Sequence, residues 1–209
     1  MKTNQLLDSV ANYYSERIVK HGETPLGVDW NSLDSQTLRF EQLSKIINNK
    51  DSFSVNDLGC GYGALHDSLS ANFESFSYTG IDISAEMVTV ARNRYQENER
   101  VNFLVASEPN KIADYGIASG IFNVRLDKTD TDWKSYIETT LDILDRTSKL
   151  GFSFNCLTSY SDTDKIRDYL YYANPCVLFD LCKKRYSKNI SLIHDYGLYE
   201  FTILVRKSL

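Results

Sequence analysis

Apolar residues recur along the chain in two rhythms that take turns. Leu7, Val10, Tyr14 and Ile18 fall three and four residues apart, the stripe of a helix over residues 3–20. His21-Gly22 suits its end, because glycine adopts the left-handed conformation that closes helices. Residues 21–32, HGETPLGVDWNS, are too rich in glycine and proline for regular structure. A second helix follows over 34–49, with Phe40, Leu43 and Ile47 inward. The rhythm then shortens to a buried strand at 53–58, FSVNDL, and lengthens again over 63–73, where Leu65, Leu69 and Phe73 are four apart. Strand 76–83 precedes a helix over 85–97, started by Ser84 as N-cap and Glu86 in the first turn, with Met87, Ala91 and Tyr95 on one stripe. Strand 101–106, a turn at Pro109, strand 115–122, helix 132–147 (Trp133, Ile137, Leu141, Leu144 inward) and strand 150–157 continue the pattern.

The tail reads differently. Residues 163–173 and 175–187 suit two short helices, the second opened by Asn174 as cap and Pro175 at the first position. NISLIHDYGLYEFTILVRK then suits two strands around a Tyr196-Gly197 turn, which makes them antiparallel. Strands alternating with helices imply βαβ units and a parallel sheet. With the hairpin, the expectation is an α/β fold, a doubly wound seven-stranded sheet, mostly parallel with an antiparallel last strand. No repeat, low-complexity segment or linker interrupts it, so residues 1–209 read as one domain: 1–50 a helical cap and 51–209 the core.

The chemistry gathers where the first strand breaks into Asp57-Leu58-Gly59-Cys60-Gly61-Tyr62-Gly63. Glycine there lets a ligand press against bare backbone, at the carboxyl end of a strand where open α/β sheets bind ligands. Gly59-x-Gly61-x-x-Ala64 with Asp82 some twenty residues on also satisfies the loose dinucleotide fingerprint. Asp57 argues against that reading. A carboxylate two residues before the first glycine would face a pyrophosphate, whereas it suits an ammonium or sulfonium.

These residues resemble the motifs of the class I S-adenosylmethionine-dependent methyltransferases. The family's acid-x-G-x-G-x-G is matched by Asp57, Gly59, Gly61 and Gly63, and its second acid, at the end of the next strand, by Asp82 in YTGIDIS. The terminal hairpin resembles the family's reversed last strand. The resemblance implies a Rossmann-like core in a small stand-alone bacterial-type member, with S-adenosyl-L-methionine as donor. It also implies donor contacts: backbone at Gly59, Cys60 and Gly61 beside the amino-acid end, Asp57 near its ammonium, Asp82 on the ribose, and Ile83 and Met87 about the adenine. Met87 equally fits its helix's core stripe. Where the family carries an acid or asparagine after the third strand, this chain has Ala106 and Ser107. Ser119 and Gly120 end the fourth strand, next to the expected methyl group.

For the acceptor, His21, Thr24, Asp29 and Trp30 put a base, a carboxylate and an aromatic plate in one loop, which reads equally as a plain connection. His194 beside the terminal turn is the second candidate base; His66 falls on the polar side of its helix. Tyr14, Trp30, Arg39, Asn123 and Tyr172 are candidate substrate contacts, within a tyrosine-rich set including Tyr13, Tyr169 and Tyr171. Arg17, Arg39, Arg125 and Arg167 are candidate clamps for an acidic group.

Composition narrows the partners. A net charge of −5 disfavours a protein that lives on nucleic acid or anionic membrane. Four cysteines without a C-x-x-C suit free thiols in a reducing cytoplasm, and no metal site is expected. Neither a signal peptide nor a membrane span is expected. The expected activity is methyl transfer to a small polar metabolite, possible classes being a sugar derivative or a phosphorylated compound, by a monomer or homodimer. An RNA or protein methyltransferase and a nicotinamide oxidoreductase are the alternatives, although KKRYSK at 183–188 is the only basic run and [DN]-P-P-[FYW] is missing.

Overall fold

A computed structural model of the protein describes residues 2–48 and 51–207, with side chains described from Leu6 onward. They form a seven-stranded sheet, ordered β3-β2-β1-β4-β5-β7-β6. β1 (Phe53–Leu58), β2 (Phe76–Asp82), β3 (Val101–Val105), β4 (Ala113–Ala118) and β5 (Ser148–Leu157) are parallel. β7 (Glu200–Arg206) runs antiparallel between β5 and β6 (Asn189–Ile193). The expected topology is therefore present, reversed strand included.

Helices pack on both faces, as a sheet buried on two sides requires. On one lie α2 (Leu33–Ser44), α3 (Ala64–Ser70) and α4 (Ala85–Arg94), which bring Phe40, Leu43, Leu65, Leu69 and Val88 onto Val55, Tyr78 and Ile117. On the other lie α5 (Asp130–Thr147) and α6 (Pro175–Arg185), with Trp133, Ile137, Leu141, Leu144 and Leu178 against Phe152, Phe154 and Ile203. α1 (Lys2–His21) adds Leu6 and Val10 to this second core. β1 pairs with β2 on one side and β4 on the other, so the chain leaves it in opposite directions and opens a crevice at its carboxyl end.

The caps explain most element starts. Ser84 Oγ accepts from Met87 N at 3.1 Å and opens α4. Asn174 Oδ1 accepts from Cys176 N and Val177 N and opens α6, with Pro175 in the first turn. Helix and strand ends move by a few residues from the sequence expectation. The second helix stops at Ser44, and its expected end at residue 49 lies outside the described residues. The fourth strand spans 113–118 rather than 115–122, because Gly120 turns the chain at φ +75°.

One element is overturned. Residues 163–173 hold only a 3-10 turn at Thr163–Lys165 and no helix. Their backbone is committed to neighbouring segments: Leu170 bridges Val124, Tyr171 N donates to Asn123 O at 2.7 Å, and Ala173 N donates to Leu157 O at 2.9 Å. Tyrosines favour such extended pairing, and tertiary partners outweigh a weak helical period.

Candidate functional site

The glycine turn makes the floor of a cavity at the crevice. Gly59 N and Cys60 N both donate to Ile81 O, at 2.7 and 3.1 Å, folding the turn across the end of β2. Gly59, Gly61 and Gly63 take φ of +77°, +54° and +86°, the left-handed region that favours glycine. At Gly59 a Cβ would also stand 2.1 Å from Ile121 Cγ2.

Two carboxylates face this floor. Asp82 accepts from Gly61 N at Oδ2 and from Ser84 N at Oδ1, both at 2.9 Å, which locks the two turns together. Each oxygen takes one of these amides and keeps capacity for a further donor. Asp57 is buried, with Tyr78 Oη donating to Oδ2 at 2.5 Å. Its Oδ1 has no hydrogen-bond partner. Burial pushes the Asp57 carboxyl up to about 7; the Tyr78 hydrogen bond opposes this and the nearby Asp82 charge adds to it. A buried oxygen left without a donor is costly.

Ile83, Met87, Ala106 and Ser107 line one side of the cavity, and Ser119, Gly120 and Ile121 the other. α5 adds Tyr136, Thr139, Thr140 and Ile143. Leu7, Val10 and Tyr14 of α1 line it too, with Val28 and Trp30 from the following loop and Gln36 and Phe40 from α2. α1 is pinned to the core at both edges. Ser15 Oγ lies 2.8 Å from Ser84 Oγ and donates to Glu86 at 2.6 Å, while Tyr13 and Arg17 both bond Asp29.

Behind Trp30 runs a buried polar chain. The Arg39 guanidinium stacks 3.9 Å from the indole centroid, and its Nε donates to Glu200 Oε2 at 2.8 Å. Asn155 Nδ2 donates to the same oxygen at 2.6 Å, and Asn155 Oδ1 accepts from Gly120 N at 2.7 Å. Trp30 closes the loop, since a Cβ on Gly120 would stand 2.4 Å from its Cζ2.

Of the residues singled out in the sequence, Tyr14, Trp30, Asp57, Gly59, Cys60, Gly61, Asp82, Ile83, Met87, Ala106, Ser107 and Gly120 all line this cavity. Ser119 lines it as well, whereas Gly63, Arg39, Asn123, Tyr172, His21 and His194 lie outside its lining. Arg39 sits behind Trp30. Asn123 Oδ1 accepts from Leu157 N at 3.0 Å, and Tyr172 Oη staples its own loop by accepting from Arg167 N and donating to Lys165 O. His21 ends α1 and His194 is exposed against Tyr160 and Phe201. His66 is buried among Phe76, Tyr78 and Tyr95 rather than on a polar face, because a helix of seven residues offers little free side.

Sequence reasoning missed Gln36, Tyr62, Asn155, Glu200 and the α5 wall. Thr139 and Thr140 interrupt an otherwise apolar-striped helix, which was the one available signal. All four cysteines are free, and no group of metal-holding side chains occurs among the described residues. No helix of the described residues is long and apolar enough to cross a membrane.

The fold thus joins a doubly wound sheet with a reversed β7, a glycine floor, and Asp57 and Asp82 at the carboxyl ends of the first two strands. Residues 55–113 match a family described as a methyltransferase domain. The Mycobacterium tuberculosis (strain ATCC 25618 / H37Rv) protein named Putative methyltransferase Rv1506c is 60% identical over 164 residues, covering 78% of this chain and 99% of that one. The chain belongs to the class I S-adenosylmethionine-dependent methyltransferases. Solved structures share the fold at low identity. The DhpI–SAM–HEP complex aligns with TM-score 0.66 and 16% identity over 97% of this chain and 98% of that one. Human N-acetylserotonin methyltransferase in complex with SAM aligns with TM-score 0.61 and 18% identity over 82% of this chain, which spans 52% of it.

Proposed function

We propose that the protein methylates a small polar metabolite, with S-adenosyl-L-methionine as donor in the cavity at the end of β1. The observation that carries this reading is the pair Asp57 and Asp82: one buried oxygen lacking a donor, and one carboxylate keyed to both glycine-rich turns. The donor, when bound, supplies a methyl group activated by its sulfonium. Asp57 Oδ1 takes the ammonium hydrogen bond it otherwise lacks. Asp82 accepts from the ribose hydroxyls, Gly59 to Gly61 offer close backbone approach, and Ile83 and Met87 flank the adenine, with Ala106 and Ser107 along its edge. Tyr14 and the rest of the α1 lining exclude water from above, so residues 1–50 serve as a cap.

The chain's remaining task is alignment, because in-line displacement needs acceptor and methyl carbon about 3 Å apart. Trp30 and the Ser119–Gly120 turn form the wall that sets this. A roofed cavity without a basic lining favours a small acceptor over RNA or protein. The KKRYSK run supports the same choice, since Lys184 pairs with Asp180 and Arg185 with Asp142. Free thiols fit work in a reducing cytoplasm.

Calorimetric titration with S-adenosylhomocysteine and, separately, with NAD tests the donor assignment. Micromolar binding of the first and none of the second is expected. Binding of NAD alone would overturn it.

A further inference from the structure

The side of the cavity away from the two carboxylates speaks to the acceptor's charge, an inference that rests on the methyl-transfer reading above. Four arginines are possible anion clamps, and all are engaged elsewhere. Arg17 pairs with Asp29 and Arg39 with Glu200. Arg125 pairs with Asp130 and donates to Asp168 O, and Arg167 donates to the carbonyls of Asp164 and Ile166. No lysine, arginine or histidine lines the cavity among the described residues, and its only charged side chains are Asp57 and Asp82.

We propose that the methyl acceptor is an uncharged molecule seated between Trp30 and the Ser119–Gly120 turn, and that the Arg39–Glu200 pair positions this wall rather than binding an acidic group. The pair is almost wholly buried, Arg39 at 7% and Glu200 at 1% exposure, so its charges cancel where the dielectric is low. An anionic acceptor would find no lysine, arginine or histidine in the lining beside the two carboxylates, and the donor's sulfonium, the one positive charge it could meet, is neutralised by the transfer itself. A cationic acceptor would approach the donor's sulfonium, with like charges a bond length from reaction. An uncharged one meets neither penalty. Trp30 offers it an apolar surface, and Ser119 Oγ, buried in the lining and unpartnered, offers one hydrogen bond.

Glu200 joins the two halves of that wall. Its Oε2 collects Arg39, which stacks on Trp30, and Asn155, which holds Gly120 N. Its Oε1 and Arg39 Nη1 have no partners, so the pair is poorly arranged for stability alone, whereas a role in placing Trp30 explains it.

The test has two arms. A metabolite extract is passed over anion and cation exchangers, and each fraction is incubated with the protein and methyl-labelled S-adenosylmethionine. Label in the unretained, uncharged fraction is expected; label confined to a retained fraction overturns the inference. Binding of S-adenosylhomocysteine is measured first. Its failure sinks the methyl-transfer reading itself, and label in no fraction despite binding sinks the small-metabolite reading and this inference with it.

The second arm needs no acceptor. Trp30 and Trp133 are the only tryptophans, so W30F supplies the Trp133 background to emission. Inorganic phosphate at millimolar concentration should leave the wild-type Trp30 emission unchanged. In E200Q the Arg39 guanidinium loses its partner and Trp30 its fixed support, so the Trp30 emission should shift in the absence of phosphate. A saturable wild-type response to phosphate, or an unshifted Trp30 emission in folded E200Q, overturns the positioning role. If E200Q does not fold, the charge-free combination of R39Q with E200Q serves: label must still enter the uncharged fraction, at a reduced rate, and loss of all labelling with donor binding intact overturns the proposal.

Discussion

The two ends of the cavity are built by different means. The carboxylate end comes from two consecutive strand–turn–helix units, and Gly59 to Ser84 supply nearly all of it within one stretch of chain. Backbone amides do most of the work, fixed by left-handed glycines and by one aspartate that spans both turns. The Trp30 end is assembled mainly from distant side chains, Trp30 of a loop, Arg39 of α2, Asn155 of β5 and Glu200 of β7, which gather on the backbone amide of Gly120. A site built from backbone has little freedom to vary, whereas one built from distant side chains can be changed piece by piece. That division suits an invariant donor and a particular acceptor.

The largest expected effect comes from putting the same methyl group into each end. In G59A the Cβ would stand 2.1 Å from Ile121 Cγ2 at φ +77°, so the floor must shift. S-adenosylhomocysteine affinity should fall on the order of 100-fold, and the strained residue should cost about 1–2 kcal/mol of stability. In G120A the Cβ would meet Trp30 instead, 2.4 Å from Cζ2. Turnover should collapse with donor affinity changed by less than about tenfold, roughly 1.4 kcal/mol. Calorimetry and thermal melting on both variants check the contrast; equal loss of donor binding in the two would erase it.

A smaller effect is expected at Asp82. D82A leaves Gly61 N and Ser84 N without their acceptor and removes the ribose partner proposed above. Donor affinity should weaken by about 1–3 kcal/mol, the scale of a lost charge-assisted hydrogen bond. Unchanged affinity by calorimetry would refute the ribose assignment.

Asp57 predicts a pH dependence. Its carboxyl, ordinarily at 3.8, is raised to about 7 in the fold, so the folded chain holds the proton more tightly than the unfolded one. That contribution to stability is complete below the ordinary value and is lost as pH rises through about 7. The ligand-free protein should therefore melt at a lower temperature near about pH 8 than near about pH 6. An ammonium beside Oδ1 favours the ionised form, so donor affinity should rise by up to about tenfold per pH unit approaching 7 and then level off. Titration in buffers of different ionisation enthalpy should register proton release below the plateau. D57N should show neither the slope nor the release.

The same contrast explains what the sequence revealed. The sheet order, the reversed strand and the carboxylate end follow from local signals: four-residue stripes, glycines in a turn, Ser84 and Asn174 as caps. Glu200 gave no such signal, because it reads as an ordinary charge beside a turn until the sheet brings it to Arg39, 161 positions away. Arg39 was visible as a residue but not as half of a pair, and its stacking on Trp30 depends on packing that no periodicity records. Residues 163–173 failed for a related reason: a modest helical period lost to partners in Asn123, Val124 and Leu157.

The smallest effects are expected at the histidines, where a contact would have to be supplied by movement. Histidine is the usual base near neutral pH, and a base at the Trp30 end would have to meet the acceptor's proton within hydrogen-bond reach. His21 closes α1 outside the cavity lining, and exposed His194 packs its ring beside Tyr160 and Phe201. H21A and H194A should each leave S-adenosylhomocysteine affinity unchanged and alter kcat by no more than about twofold, or roughly 0.4 kcal/mol of barrier. The measurement is the pH profile of kcat/KM in both variants. A loss of rate with disappearance of a near-neutral limb in either one would show that the cap or the terminal hairpin swings that imidazole to the acceptor. The Trp30 end would then be completed by movement, and the carboxylate end alone would be preformed.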